Sequence, residues 1–283
     1  MPRTDQPNST RRLSVSTWSL HRTLGDYAVY GPDTENPSSL TDTDKHGQLT
    51  LLELPARLAA FGISTLEICH FHLPSLDTGY LKELRATLQQ EQIELFSLLI
   101  DEGDITHPTN GERDQAWVSS WIEIAGQLGA KRARAIAGKT TPTAANLQTS
   151  IQRLRQLANH AEEQGVRLMT ENWFGLLSQP VAVRTVFEQL EDHVGLCFDF
   201  GNWSGPTKYE ALTSIAPYAE SCHTKAHFSA NDELDKDDYI RCLDITRAAG
   251  FSGPYTLIYD GPNPDEWHGL SRERELVTPY LQA

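Results

Sequence analysis

The 283-residue sequence has few cysteines, few basic residues and no long apolar run, and each of these shortages excludes some classes of protein. It has four cysteines, Cys69, Cys197, Cys222 and Cys242, and no C-x-x-C pair. A chain this long needs no disulfide to hold its core, so we interpret them as reduced thiols of a cytosolic protein. No apolar run approaches the roughly 18 residues of a membrane-spanning helix. Residues 1–12 are polar and lack the apolar stretch of a signal peptide, so we expect a cytoplasmic, soluble protein.

Basic residues are also scarce. The chain has 24 Lys and Arg against 38 Asp and Glu, which gives a formal net charge of −14. Nucleic acids and anionic membrane surfaces are bound through clustered Lys and Arg. The charge balance therefore predicts no nucleic-acid partner and no membrane partner, and it favours a small-molecule ligand. It is compatible with a homo-oligomer.

Short β-branched or apolar segments alternate with amphipathic helical segments along the chain. Helical periodicity is clear at 51–61, which stops at Gly62, and in the long helix that begins at Pro142 and ends at Gly165. We predict eight strands, at residues 13–18, 65–69, 93–100, 132–137, 166–171, 194–199, 219–225 and 255–259. Each is followed by a helix, and eight strand–helix pairs are what an α/β fold of the (β/α)8 TIM barrel type requires.

An open doubly wound sheet is the alternative architecture for the same alternation. No G-x-G-x-x-G follows the first predicted strand, which disfavours that alternative. We therefore predict one TIM-barrel domain over residues 1–283, with a disordered N-terminal tail at 1–11. Two long connections, 20–48 and 101–114, follow strand ends, where barrel enzymes build their active sites.

Three predicted strands end in possible metal ligands, namely Glu171, Asp199 and His223. Parallel barrel strands bring these ends to one rim. Two carboxylates and an imidazole suit a divalent ion such as Mn, Mg or Zn, which would polarise a substrate carbonyl or hydroxyl as a Lewis acid. Taken alone, each of these three residues is interpreted equally well as a metal ligand or as a solvated or hydrogen-bonded residue at the rim. Their recurrence at successive strand ends favours a metal site.

Further polar and aromatic residues fall near the same rim. An arginine on the fourth strand, Arg132 or Arg134, would bind a carboxylate or phosphate bidentately, and exposed aromatic rings would stack on a sugar ring. Each has a structural alternative: an ion pair with a neighbouring strand, a hydrogen bond within a loop, or packing of the barrel top. We predict substrate-binding roles for Trp18, Glu67, His70, Arg134, Trp173, Asn202 and His227.

The motifs around these residues resemble those of the xylose-isomerase-like superfamily of TIM barrels, which holds sugar isomerases and epimerases, dehydratases and the endonuclease IV group. Members similar to sugar epimerases carry a Glu-Asn segment on strand five, D-x-G-N or D-x-x-H on strand six and H-x-K-D on strand seven. The matching segments here are Thr170-Glu171-Asn172, Asp199-Phe200-Gly201-Asn202 and His223-Thr224-Lys225, the last followed by Ala226. The resemblance spans essentially the whole chain. It implies a metal-assisted enzyme for a carbohydrate-like substrate, with Glu171, Asp199 and His223 as metal ligands.

Strand eight departs from the family pattern. That pattern resembles G-Y-x-G-x-x-x-I-E-Y-E-G, and its first Glu is both the fourth ligand and a catalytic base. Here the segment reads Gly250-Phe251-Ser252-Gly253-Pro254-Tyr255-Thr256-Leu257-Ile258-Tyr259-Asp260-Gly261, which places Ile258 at the position of that Glu. Asp260 lies two residues further on, on the same strand face but about 6–7 Å nearer the mouth.

The resemblance implies an isomerase or epimerase in which Glu171 removes a proton next to a carbonyl. The returning group would be Asp260, Lys225, His227 or a water. We predict catalytic roles for Glu171, Lys225 and Asp260. Two alternatives remain open: a lyase or dehydratase that acts on a sugar acid or cyclitol through a three-ligand site, and a degenerate barrel that binds a carbohydrate without turnover. An endonuclease IV-like nuclease is disfavoured by Asn202, where that group has a histidine, and by the net charge.

Overall fold

The computed structural model describes residues 11–25, 31–33 and 47–282, and a closed barrel of eight parallel strands lies at its centre. The strands are β1 (Arg12–Ser16), β2 (Thr65–Cys69), β3 (Glu94–Leu99), β4 (Arg132–Arg134), β5 (Arg167–Glu171), β6 (Gly195–Asp199), β7 (Ala219–Lys225) and β8 (Pro254–Ile258). Each strand pairs with the next, and β1 pairs with β8. The predicted TIM barrel is confirmed, and the doubly wound alternative is excluded.

A helix follows each strand and covers the outside of the barrel. The helices are α1 (His21–Leu24), α2 (Leu54–Phe61), α3 (Thr78–Gln90), α4 (Gly111–Leu128), α5 (Ala144–Glu163), α6 (Pro180–Leu190), α7 (Lys208–Ile215), α8 (Lys236–Ala248) and α9 (Glu266–Val277). The short α1 is an extra turn after β1. Within the described part of the chain, no helix combines the length and the apolar character that a membrane crossing requires.

The boundaries of the elements follow local capping signals. Gly62 and Gly129 end α2 and α4 with φ of +80° and +78°, a left-handed conformation that glycine adopts without strain. The last helix begins at Glu266 because the side chain of Asp265 accepts a hydrogen bond from the His268 N–H and caps it. Residues 1–10 of the predicted tail and most of the 20–48 connection lie outside the described residues.

Ion pairs occupy the end of the barrel where the strands begin. Arg12 lies 2.6 Å from Glu94, and the guanidinium of Arg167 donates to both oxygens of Glu220 at 2.9 and 2.6 Å. Arg12 and Arg132 lie over the ring of Phe96, which packs inside the barrel with Met169 and Cys197. The accessible cavity is therefore at the opposite end, where the strands finish.

Candidate metal centre

The three predicted metal ligands come together near the ends of β5, β6 and β7. The Nδ1 atom of His223 lies 3.8 Å from Glu171 Oε2 and 3.7 Å from Asp199 Oδ2. Asp199 and His223 are direct partners in the β6–β7 register. All three side chains are buried, and all three line a cavity of about 280 Å³. The order of residues at the strand ends therefore produces a single cluster.

His223 is held from behind by a carboxylate. Its Nε2 atom lies 2.7 Å from Glu67 Oε2 on β2, and Glu67 is fully buried. An ionised carboxylate at this distance makes Nε2 the protonated nitrogen, which leaves Nδ1 to face Glu171 and Asp199. Burial lowers the pKa of His223, but the neighbouring Cys197, Glu67 and Asp199 together raise it well above its usual range. Glu67, predicted to bind substrate, thus contacts His223 instead of lining the cavity.

Glu171 is oriented by two donors. Its Oε1 atom accepts a hydrogen bond of 2.6 Å from the Asn202 side-chain amide, and its Oε2 atom lies 3.1 Å from Arg134 Nε. Burial raises the pKa of the Glu171 carboxyl, against the opposite effect of Arg134 and His223. A carboxylate whose pKa is raised by burial, at the wall of a cavity, is a candidate general base.

Asp199 is fixed by the tight turn that follows β6. Its Oδ1 atom accepts hydrogen bonds from the backbone N–H groups of Gly201 and Asn202, at 2.6 and 2.8 Å. The side chain of Asn172 pairs with the backbone of Asp199, accepting from its N–H at 2.8 Å and donating to its carbonyl at 3.1 Å. Because Oδ1 is engaged by the turn, Oδ2 is the oxygen that faces His223.

Arg134 is a shared ion-pair partner. Besides Glu171, its guanidinium lies 2.6 Å from Asp101 Oδ1, and it lies over the ring of Trp173 with 5.2 Å to the centroid. Burial would raise the pKa of Asp101, but Arg134 and His70 lower it to about 2. Sequence reasoning missed Asp101. The available signal was an acidic residue two positions after β3, at the start of a long connection.

The remaining predicted residues divide between the cavity wall and its surroundings. Those that line the cavity are Trp18, Arg134, Trp173, Asn202 and Lys225, and the other residues of its wall are Ser16, Cys69, Phe71, Leu99, Asp101, Glu102, Phe174 and Ile258. Lys225 Nζ lies 3.1 Å from Asp260 Oδ2, and the Asp260 side chain is 40% exposed and outside this lining. His70 is buried against the rings of Trp117 and Trp121, and His227 is exposed.

The cluster has the excess of negative charge and the oxygen and nitrogen ligand atoms that a divalent cation needs. Four carboxylates, Glu67, Asp101, Glu171 and Asp199, surround the single guanidinium of Arg134 and the imidazole of His223. Among the described residues, Glu67 Oε1 is buried without a hydrogen-bond donor, and Glu171 Oε2 is paired with the Arg134 guanidinium. Acidic groups buried together in this excess are costly unless a further cation balances their charge. The residues therefore fit a bound metal ion.

A profile of the family described as xylose isomerase-like TIM barrel matches residues 55–274, and the chain belongs to this family. No curated protein matches its sequence.

Several solved structures share the fold. An L-ribulose 3-epimerase has a TM-score of 0.70 at 15% identity, with 96% of this chain and 95% of that chain covered. A xylose isomerase-like TIM barrel protein from Mycobacterium smegmatis, in complex with magnesium, has a TM-score of 0.65 at 17% identity over 95% and 97%. A Bacillus anthracis protein described as the probable 3-DHS dehydratase AsbF has a TM-score of 0.65 at 14% identity over 94% and 98%.

Proposed function

We propose that this protein is a metal-assisted isomerase or epimerase that removes a proton next to the carbonyl of a sugar or sugar-like polyol. The observation that carries the proposal is Glu171, a buried carboxylate at the cavity wall whose pKa is raised by burial and whose Oε2 atom lies 3.8 Å from His223 Nδ1. Structural neighbours named as sugar epimerases support the same class of reaction.

Glu171, Asp199 and His223 would hold the metal ion, a divalent Mn, Mg or Zn. When bound, it supplies Lewis-acid stabilisation of the negative charge that develops on a substrate oxygen as the adjacent carbon loses its proton. The Glu67–His223 hydrogen bond keeps the imidazole in the tautomer that a ligand needs. The structural neighbour from Mycobacterium smegmatis was solved in complex with magnesium, which supports a divalent cation as the bound ion.

The chain's own residues would divide the proton transfer and the positioning. Glu171 accepts the proton, and Asn202 holds its carboxylate in place. Lys225, which lines the cavity beside Asp260, returns a proton or stabilises an anionic oxygen. The faces of Trp18 and Trp173 at the cavity wall exclude water and stack on a ring-shaped substrate.

Ile258 favours a second candidate, a lyase or dehydratase. It lies in the cavity wall at the position where the family pattern has its second carboxylate base. Elimination of water next to a carbonyl needs one base and a stabilised leaving oxygen, so a single well-placed Glu171 suffices. A structural neighbour with the same fold is described as a probable dehydratase, which supports this reaction class.

Hydrogen–deuterium exchange separates these candidates. The protein, reconstituted with Mn²⁺, is incubated in D₂O with a panel of ketoses, sugar acids and cyclitols and followed by NMR. We expect deuterium to enter at the carbon next to the carbonyl, and we expect Glu171→Gln to abolish the exchange while Glu233→Gln, on an exposed loop, leaves it unchanged. Loss of water from the substrate would assign the lyase. Thermal stabilisation by a sugar without any turnover would overturn the proposal in favour of a binding protein.

We also propose a cytoplasmic location and a small carbohydrate-like substrate as the partner. All four cysteines are free and buried, as is usual in a reducing compartment.

A further inference from the structure

We propose that Cys197 is a ligand of this metal centre together with Glu171 and His223, so that its donor set contains nitrogen, oxygen and sulfur and selects zinc over magnesium. The inference rests on the metal centre of the proposed function. It goes beyond that function because it assigns a ligand and a metal preference specific to this chain.

The strand register places Cys197 beside the other ligands. Cys197 on β6 pairs directly with Glu171 on β5, and it precedes Asp199 by two residues, so both side chains point into the barrel. Donor atoms of Glu171, Cys197 and His223 all lie within 4.8 Å of one another. One ion between them can reach all three donors with only small side-chain movements, because zinc bonds are about 2.0–2.3 Å long.

Strand β8 does not supply a competing ligand. Ile258 has no donor atom, and the Asp260 carboxylate is paired with Lys225 at the mouth. Cys69 lines the cavity, but it lies outside the group of Glu171, Cys197 and His223, and its Sγ atom is 3.8 Å from Ser16 Oγ. Cys197 is therefore the thiol that lies with the ligand atoms of Glu171 and His223.

The chemistry of the donor set decides which ion is favoured. A thiolate is a soft ligand that zinc accepts in tetrahedral sites, whereas magnesium requires six oxygens in octahedral geometry. On binding, the S–H bond of Cys197 breaks, a sulfur–zinc bond forms, and the proton passes to solvent. The thiolate adds one negative charge to those of Glu171 and Asp199, which strengthens the attraction of the site for a divalent cation.

Cobalt substitution tests the sulfur ligand directly. Co²⁺ replaces zinc in such sites, and a thiolate bound to it gives a charge-transfer band in the near ultraviolet that oxygen and nitrogen ligands do not give. The wild-type protein loaded with Co²⁺ should show this band. Cys197→Ser should lose the band and keep the visible bands of bound cobalt, while the matched variant Cys69→Ser should keep both.

A zinc–magnesium competition measured by metal analysis adds a second readout. We expect Cys197→Ser to lose zinc affinity by roughly tenfold or more, with little change for magnesium. Bound Co²⁺ without a charge-transfer band in the wild type, or a band that disappears only in Cys69→Ser, would overturn the assignment and leave the proposed function standing. A wild-type protein that binds neither Co²⁺ nor Zn²⁺ would overturn both. The wild-type spectrum decides the question even where a serine variant fails to fold.

Discussion

Asn202 is one of the two groups that orient Glu171, and its substitution tests the metal centre. Asn202 donates a 2.6 Å hydrogen bond to Glu171 Oε1. We expect Asn202→Ala to weaken Mn²⁺ binding about 10- to 100-fold, the usual cost of removing a partner that orients a metal ligand. Isothermal titration calorimetry measures the change. Asn231→Ala, on an exposed loop, is the control and should bind as the wild type does.

Ile258 is the residue at which the cavity wall lacks a carboxylate. We expect Ile258→Glu to destabilise the metal-free protein by about 3 kcal/mol, because it buries an additional charge in a cluster that is already acidic. Added Mn²⁺ should restore most of this loss. Thermal unfolding with and without Mn²⁺ measures both effects.

The neutral variant Ile258→Gln is the matched control for this experiment, since it changes the shape of the side chain without adding charge. A metal-induced stabilisation of equal size in Ile258→Glu and Ile258→Gln would show that the new carboxylate does not reach the ion.

At the scale of elements, α5 depends on its N-terminal cap. The side chain of Thr143 accepts a hydrogen bond from the Asn146 N–H at 3.2 Å. We expect Thr143→Ala to lower the free energy of unfolding by about 1 kcal/mol. Chemical denaturation measures it. Thr149→Ala, within the same helix, should be neutral or slightly stabilising because alanine has the higher helix propensity, and an equal loss in both variants would contradict the capping role.

The elements were largely predictable because their signals are local. Strands such as β5 and β6 are short segments with apolar residues, bounded by glycine or polar residues. The end of helix α2 is signalled by a single residue, Gly62. Glu171 and Asp199 could be predicted for the same reason, since each is the last residue of its strand.

Contacts between distant strands were not predictable from local pattern. Glu67 and His223 are 156 residues apart, and only the closed barrel reveals that one positions the other. The same holds for Arg134, whose partners on β5 and after β3 occupy its guanidinium and whose role is therefore to orient Glu171. The sequence indicated a polar rim, but the closed barrel determines which atoms face the cavity.

At the scale of the whole molecule, Glu273 should make stability depend on pH. It is fully buried in α9, and burial raises its pKa well above the usual range, against the opposite effects of a backbone hydrogen bond from Ile258 and of the charge of Arg272. Because its pKa is higher in the folded than in the unfolded state, its contribution to stability is complete below the unfolded pKa of about 4.3 and is lost as the pH rises through the folded pKa.

We therefore expect Glu273→Gln to become progressively more stable than the wild type above pH 5, by up to about 1.4 kcal/mol per pH unit until the folded pKa is passed. Urea denaturation across a pH series measures the difference. The exposed Glu275→Gln on the same helix should follow the wild type at every pH. A difference between Glu273→Gln and the wild type that does not vary with pH would contradict the buried, protonated state.

The closure of the barrel has a consequence for synthesis on the ribosome. β1 pairs with β8, and the backbone N–H of Tyr259 donates to Ser19 Oγ, a residue made 240 positions earlier. At a translation rate of about 5–20 residues per second, β8 is synthesised roughly ten to fifty seconds after β1. A chain truncated before Pro254 keeps an open strand edge, which is a surface that recruits chaperones or pairs with another nascent chain.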